Sequence, residues 1–421
     1  MATACSAPEA ATSVAPAAPT EELATLDSTG AVSPITTIAS TGPVSPTPTV
    51  ASKGGVSPTL TVMTHDSFNV SEALVRTFES THQVKLQFLK AGDAGAALNR
   101  AILTKSKPLA DVFYGVDNTF LSRALSAGIF EPYHAPALDQ IPAAFKLDPA
   151  DGALPVDYGD VCVNYDKSHF ARSNGSTPYV PEDIPYAKAT RPAPLQPGIP
   201  TPQRNPPPPA KLEDLTDPAY KDLLVVENPA TSSPGLAFLL ATIGHFGEGG
   251  AGGQGTDGGY LDYWRALRRN GVKVVNDWET AYNQEFSGSA GRGPRPLVVS
   301  YGSSPPFEVI FADPPPAEAP TGAIVSDGSC FRQIEFVGIL KGISSASRAL
   351  AEAWVDFMLA RTFQEDMPLQ MYVFPVNPTA QLSEAFQKYL AIPANPVTVD
   401  PAAIAAKREQ WIEAWTAAVL R

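Results

Sequence analysis

Charged side chains are scarce in this chain of 421 residues: only 17% are Asp, Glu, Lys or Arg, and the acids outnumber the bases 43 to 30. The formal charge of -13 repels polyanions, which excludes nucleic acid as a partner and leaves a cationic ligand compatible. Histidine is rare, at five residues, and no His-Glu-x-x-His pattern occurs, so the sequence carries no hydrolytic zinc motif. No stretch reaches the ~18 uninterrupted apolar residues of a membrane span, which excludes an α-helical span within the body. The Gly-rich stretch from Gly247 to Gly259 lacks the Gly-Lys-Ser/Thr ending of a phosphate loop and receives no nucleotide role. Cysteines number three: Cys5, Cys162 and Cys330.

Proline, by contrast, is abundant at 43 residues, and it clusters outside regular elements. Residues 1–57 hold three copies of a 12-residue unit opening at Ser28, Ser40 and Ser52. Units this short and polar cannot bury a face, so residues 1–57 are expected to form a disordered tether. Ala2-Thr3-Ala4-Cys5 has the small-residue spacing that precedes a lipidated cysteine, although no apolar signal segment comes before it. A lipid anchor through Cys5 is the expectation, with an ordinary tail cysteine as the alternative. If Cys5 is lipidated, Cys162 and Cys330 are left as one pair, for which a disulfide and two buried free thiols are both open.

From Pro58 the texture changes to alternating strand and helix. Thr59 to Thr64 reads as a strand, followed by a helix from about Val70 that places Leu74 and Phe78 on one face, with Asn69 and Glu72 at capping-box spacing. A strand through Val84, Leu86 and Phe88, a helix carrying Leu98 and Ile102, and the apolar run Val112 to Val116 complete a βαβαβ start. That order implies a mostly parallel sheet in an α/β fold. A Pro-rich stretch at about 172–209 and the Gly-rich stretch at 247–259 read as surface insertions. Trp354, Phe357, Trp411 and Trp415 sit at helical spacings and read as packing residues.

The ordered motifs are more specific. Thr64-His65-Asp66-Ser67-Phe68, Leu98-Asn99-Arg100, Gly115-Val116-Asp117-Asn118 and Pro155-Val156-Asp157-Tyr158-Gly159 are followed by Thr231-Ser232-Ser233-Pro234-Gly235-Leu236, Trp278-Glu279-Thr280-Ala281-Tyr282 and Ser300-Tyr301-Gly302-Ser303-Ser304-Pro305. Phe374-Pro375-Val376 and Arg408-Glu409-Gln410-Trp411 close the series. In this order and over essentially the whole chain from residue 59, apart from the two insertions, the sequence resembles bacterial periplasmic thiamine-binding proteins, the solute-binding components of thiamine ABC transporters.

The resemblance implies a two-lobed periplasmic-binding-protein fold with two crossover segments, near Asp157 to Asn164 and Tyr301 to Val309, and a ligand cleft between the lobes. One lobe is expected from residues 58–156 plus about 305–390, the other from 157–304, and a C-terminal helical segment from 391–421. It further implies an extracytoplasmic, monomeric carrier with no catalytic role, no metal and no cofactor, which takes thiamine or a thiamine phosphate to a membrane permease.

Thiamine carries a fixed positive charge on one ring and edge donors and acceptors on the other, so its site should combine aromatic faces, a carboxylate and small polar groups. Carried over residue by residue, the ligand set falls on Asp93, Ala94, Ser232, Ser233, Trp278, Tyr301, Gly302, Ser303, Ser304, Pro305 and Tyr372. His65 stands, like Phe307, where such relatives have tyrosine. Asp93 also reads as a helix N-cap, and Ser232 and Ser233 as caps ahead of Pro234, whose helix start could equally bind a phosphate. Trp278 reads as core or as ligand cage, whereas Tyr301, at the end of the strand Leu297 to Val299, is placed for display. Two other functions remain: a thiamine-degrading transferase with Cys162 as nucleophile, disfavoured by its acidic neighbour Asp160, and a ferric-iron carrier, disfavoured because no Tyr-Tyr pair occurs.

Overall fold

The computed structural model describes residues 57–171, 205–249, 259–289 and 293–421. The expected tether, Cys5 and most of the Pro-rich and Gly-rich stretches lie outside the described residues. The chain starts as strand β1 (Thr59–Thr64), helix α1 (Glu72–His82), β2 (Lys85–Lys90), α2 (Ala94–Leu103) and β3 (Val112–Asp117). Helix α3 (Leu121–Ala127) and strand β4 (Phe130–Glu131) lead into the long strand β5 (Leu154–Asp166) and α4 (Lys167–Ala171). Next come β6 (Leu224–Glu227), α5 (Ser233–Phe246), α6 (Tyr260–Arg269), β7 (Lys273–Val275), α7 (Trp278–Thr280) and β8 (Leu297–Tyr301). The chain then forms α8 (Phe307–Ile310), β9 (Thr321–Ile324), β10 (Phe331–Leu340) and α9 (Ser345–Leu359). It ends in α10 (Arg361–Met371), β11 (Phe374–Pro375), α11 (Glu384–Tyr389) and α12 (Pro401–Val419). Among the described residues no helix is long and apolar enough to cross a membrane.

The strands follow the order β2-β1-β3-β10-β5-β8-β6-β7. β1 pairs in parallel with β2 and β3, and β6 pairs in parallel with β7 and β8. These two parallel clusters are joined through β10 and β5, which run antiparallel to their neighbours. β5 serves both: Leu154 to Val161 face β10, whereas Val161 to Tyr165 face β8 and Val163 to Asp166 face β9. The chain returns through β9 and β10. Tyr301 to Val309, expected as the second crossover, leads instead into α8, where Phe307 packs with Phe374 and Phe386.

Two local irregularities aim side chains at the junction. Pro155 has no N–H for the ladder, and there the β5–β10 register shifts so that Phe336 faces Pro155 while Glu335 faces Asp157. A second shift, between Phe336 and Val337 against β3, falls at Gly115, whose φ of 102° an L side chain rarely adopts.

Cys162 is bonded to Cys330, with Cα atoms 4.5 Å apart, so the cysteine pair forms the disulfide. It links β5 to the residue preceding β10, which are the two segments that join the halves.

Trp354 and Trp415 are fully buried, in different apolar cores, and Trp411 and Phe357 pack beside them as expected. α12 lies on both α3 and α6, with Trp415 edge-on to Trp264 at 5.4 Å. α1 departs from expectation: Ser71, not Asn69, is its N-cap. Tertiary contacts take precedence here, because the Asn69 amide donates to Gln370 at 2.8 Å and the Ser71 N–H donates to Asp366 at 2.9 Å.

Candidate functional site

The C-terminal ends of β1, β3, β6 and β8 converge with the starts of α2 and α5, the arrangement in which open α/β sheets expose their polar groups. At the end of β1 the His65 ring lies against Gly115: a Cβ there would fall 2.3 Å from His65 Cδ2. His65 Nε2 is 3.3 Å from Glu335 Oε1, without hydrogen-bond geometry. Burial pushes His65 below its ordinary value and raises Glu335 to about 7, so both partners lean to the neutral form and the contact is not a strong ion pair.

Behind this contact the Tyr114 hydroxyl donates to Asp157 Oδ2 at 2.6 Å and lies 3.4 Å from Glu335 Oε2. Burial first, then the Glu335 charge, holds Asp157 well above the carboxylate range.

Asp93 is the N-cap of α2, as its position before the helix implied, and its Oδ1 accepts from the Ala94 N–H at 2.7 Å. Its other oxygen is hidden from solvent and meets no donor at hydrogen-bond geometry. Burial raises the carboxyl, while the Ala94 N–H, the Ser232 hydroxyl, His65 and the Trp278 N–H ease its charge. Asp93 thus does the capping work and keeps one oxygen in reserve.

Ser232 is the N-cap of α5, with Ser233 the first helical residue and Pro234 the second. The Ser232 side chain makes no cap bond, and its buried hydroxyl, close enough to Asp93 to ease that charge, meets no partner at hydrogen-bond geometry. Ser233 Oγ donates instead to Asp117, whose other oxygen accepts from the Thr119 N–H at 2.7 Å. The two halves meet at this point: a Cβ on Gly95 of α2 would lie 3.1 Å from the Thr231 carbonyl ahead of α5.

The aromatic side of the site comes from α7 and β8. Trp278 stacks on Tyr282, with centroids 5.0 Å apart and planes 13° apart, and its Nε1 donates to Ser300 Oγ at 3.0 Å. Ser300 and Ser304 hydroxyls are 3.0 Å apart. Tyr301 ends β8 with its ring over Gly159, where a Cβ would be 2.7 Å from Tyr301 Cδ1, and its hydroxyl is 3.4 Å from Gln333 Oε1. Gly302 has its N–H on the Asp160 carbonyl at 2.8 Å and leaves no room for a Cβ, which would meet the Ala391 carbonyl at 2.3 Å. Ser303 Oγ donates to the Tyr372 carbonyl, which brings Tyr372 beside Phe307 and 6.2 Å from Trp278. Pro305 is buried in the same turn, and Ala94 is buried in the first turn of α2.

The residues carried over from the sequence therefore gather around one interlobe junction, with His65, Asp93, Ser232 and Ser233 on a carboxylate-rich side and Trp278, Tyr301 to Pro305 and Tyr372 on an aromatic side. Sequence reasoning missed Tyr114, Asp117, Asp157, Glu227 and Glu335 as members. Asp117 and Glu227 carried a signal, an acid closing an apolar strand run as in Leu223-Leu224-Val225-Val226-Glu227, whereas Tyr114, Asp157 and Glu335 lie within strands and carried none. Among the described residues no Lys or Arg pairs with Asp93, Asp117, Asp157, Glu227 or Glu335. Such a site favours a flat cation that supplies the missing countercharge and stacks on indole or phenol faces. The disulfide leaves Cys162 without the thiolate that nucleophilic attack would need. A surface hollow of about 370 Å³ lined by Arg265, Arg268, Arg269 and Ala414 shares no residue with this set.

The family of bacterial extracellular solute-binding proteins matches residues 73–394. The thiamine-binding periplasmic protein of Brucella suis is 28% identical over 370 residues, covering 85% of this chain and 91% of its own length. A solved periplasmic thiamin-binding protein superposes with a TM-score of 0.65 at 25% identity, covering 87% of this chain and 97% of that one. A periplasmic binding protein from Actinobacillus pleuropneumoniae with fructose-6-phosphate bound has a TM-score of 0.64 at 21% identity, covering 86% and 99%, and shares the fold alone.

Proposed function

Since the chain belongs to the bacterial extracellular solute-binding proteins, we propose that its solute is thiamine, captured outside the cytoplasm and passed to an ABC-type permease. The observation that carries this reading is the pairing, across one junction, of an unpartnered Asp93 oxygen with the Trp278–Tyr282 stack and the Tyr301 ring. Asp93 would hold the positive charge, Trp278, Tyr301 and Tyr372 would face the rings, and His65, Ser232, Ser233 and the turn Gly302-Ser303-Ser304-Pro305 would meet the polar edges, with Ala94 closing the contact. A fixed cation is the group that gains most from desolvation between aromatic faces and a carboxylate. The thiamine-binding names of the Brucella suis and Escherichia coli relatives, the latter 26% identical, support the same ligand.

Capture proceeds by closure about β5 and the β9–β10 run. Open and closed forms interconvert, and the ligand shifts the balance by binding the closed form more tightly, the form a permease would recognise. The carrier role involves no chemistry on the solute, and a lipid tether through Cys5 would keep the protein at its permease.

Titration calorimetry tests the site. Asp93→Ala removes the charge partner and should weaken thiamine binding by roughly 10- to 100-fold, and Tyr301→Ala by roughly 10-fold, with both variants folded. Unchanged affinity in both would mean the site is wrongly placed. Consumption of thiamine in the presence of an added nucleophile would refute the binding-only role.

A further inference from the structure

The strands that join the two halves carry a pair of acids with no base to answer them. Asp157 on β5 lies directly opposite Glu335 on β10, and the two carboxyls are within hydrogen-bonding reach of each other. Both are buried, at 0% and 4% exposure, so water does not screen them. The Tyr114 hydroxyl spans the pair, bonded to Asp157 Oδ2 and 3.4 Å from Glu335 Oε2, while Asp157 Oδ1 meets no donor at hydrogen-bond geometry. Two carboxyls this close and this dry do not both ionise without a countercharge, so the pair holds a proton.

The groups around the pair supply no such charge. β3 contributes Tyr114 and Asp117, α2 is capped by Asp93, and β8 ends in Tyr301, all within electrostatic reach of Glu335. After β1, His65 Nε2 stands 3.3 Å from Glu335 Oε1, and burial holds that ring toward its neutral form. Asp66 and Lys90 are exposed, with Lys90 Nζ donating to the Asp66 carbonyl at 2.6 Å. Arg332, the base on β10, is committed to Asp160 through two bonds of 2.9 Å. β11 sets Pro375 against Asp157, and α10 packs on β5 with Gln364, whose amide donates to the Val156 carbonyl at 2.8 Å.

We propose that a cationic solute entering the junction drives a proton off the Asp157–Glu335 pair into solvent, so that capture and proton release are one event and affinity rises with pH. The inference rests on the thiamine reading above. Asp93 has the unpartnered oxygen to hold the fixed charge, and a cation there sits beside the pair as well, since Asp93 and Glu335 sense each other's charge. At a separation of about 7 Å and an effective dielectric of about 20, that cation weakens a carboxyl's hold on its proton by roughly 10- to 100-fold. Burial raises Glu335 to about 7, so about half of the empty molecules carry its proton at pH 7 and lose it when the cation arrives. His65 does not collect the proton, because the same cation disfavours a second positive charge beside it.

The test is calorimetry of the full chain, unfolded and refolded to strip carried ligand, with thiamine at pH 7 in MOPS and in Tris, buffers whose heats of ionisation differ. The difference in observed heat should report release of at least about half a proton per thiamine, and affinity should rise about 3- to 5-fold from pH 6 to pH 7. The double variant Asp157→Asn with Glu335→Gln has no such proton to give and should release less than about 0.1 proton. Identical heats for the parent in the two buffers would overturn the proposal, as would undiminished release in the double variant. If that variant does not fold, Glu335→Gln alone should at least halve the release, and an unchanged value overturns the proposal. Saturable heat in neither buffer, from folded protein, would instead refute the thiamine reading itself, a different outcome.

Discussion

Glu335 offers a measurable consequence of packing acids at the junction. Burial raises its carboxyl from 4.5 to about 7 in the folded protein, and it is only 4% exposed. Between those two values the folded state keeps a proton that the unfolded state has released. Stability present near pH 4.5 is therefore lost as pH rises through about 7. The difference corresponds to about 3 kcal/mol, since each tenfold change in proton affinity is ~1.36 kcal/mol. Asp157, Asp117 and Glu227 are shifted in the same direction by burial, so the parent protein should lose stability from pH 5 to pH 8. Glu335→Gln cannot ionise, and the loss over that range should fall by about 3 kcal/mol, leaving the variant the more stable of the two at pH 8. Urea denaturation of ligand-free protein at both pH values, parent beside variant, measures the effect. Equal losses in the two proteins would refute the reasoning.

Two further outcomes follow from the junction. The Cys162–Cys330 bond closes a loop of 168 residues. Replacing both cysteines by Ala should lower stability by about 2–5 kcal/mol in guanidinium denaturation, and an unmoved midpoint would contradict that. At Gly115 an Ala would combine a φ of 102° with a Cβ 2.3 Å from His65 Cδ2, so Gly115→Ala should destabilise by about 1–3 kcal/mol and displace His65. Gly128→Ala, at a φ of 64° with only Lys341 Nζ at 3.7 Å, is the control, and equal melting shifts in the two variants would show that His65 does not matter.

Much of the architecture was legible because it rests on local signals. β1 spans Thr59–Thr64 as its pattern predicts, Pro234 falls in the first turn of α5, and Asp93 caps α2 while also facing the junction. Counting cysteines left Cys162 and Cys330 as a pair, and the fold decides between the disulfide and two free thiols. What was not legible depends on pairing between distant strands. Asp157 meets Glu335 only because Pro155 shifts the β5–β10 register, and the 177 residues between the two acids carry no trace of that offset. Glu227 closes an apolar strand, which marks it as unusual, but the face it shares with Val225 becomes meaningful only once Tyr282 is seen to pack there. Asn69 was misread as a cap because a contact with Gln370, three hundred residues away, was invisible in the local spacing.

The most direct test of the carrier account is titration of the refolded, ligand-stripped protein with thiamine in a calorimeter. The account predicts saturable binding of one thiamine per chain. No heat with thiamine, from protein shown to be folded, would contradict it and would leave a solute-binding fold whose acidic, aromatic junction serves another small cation.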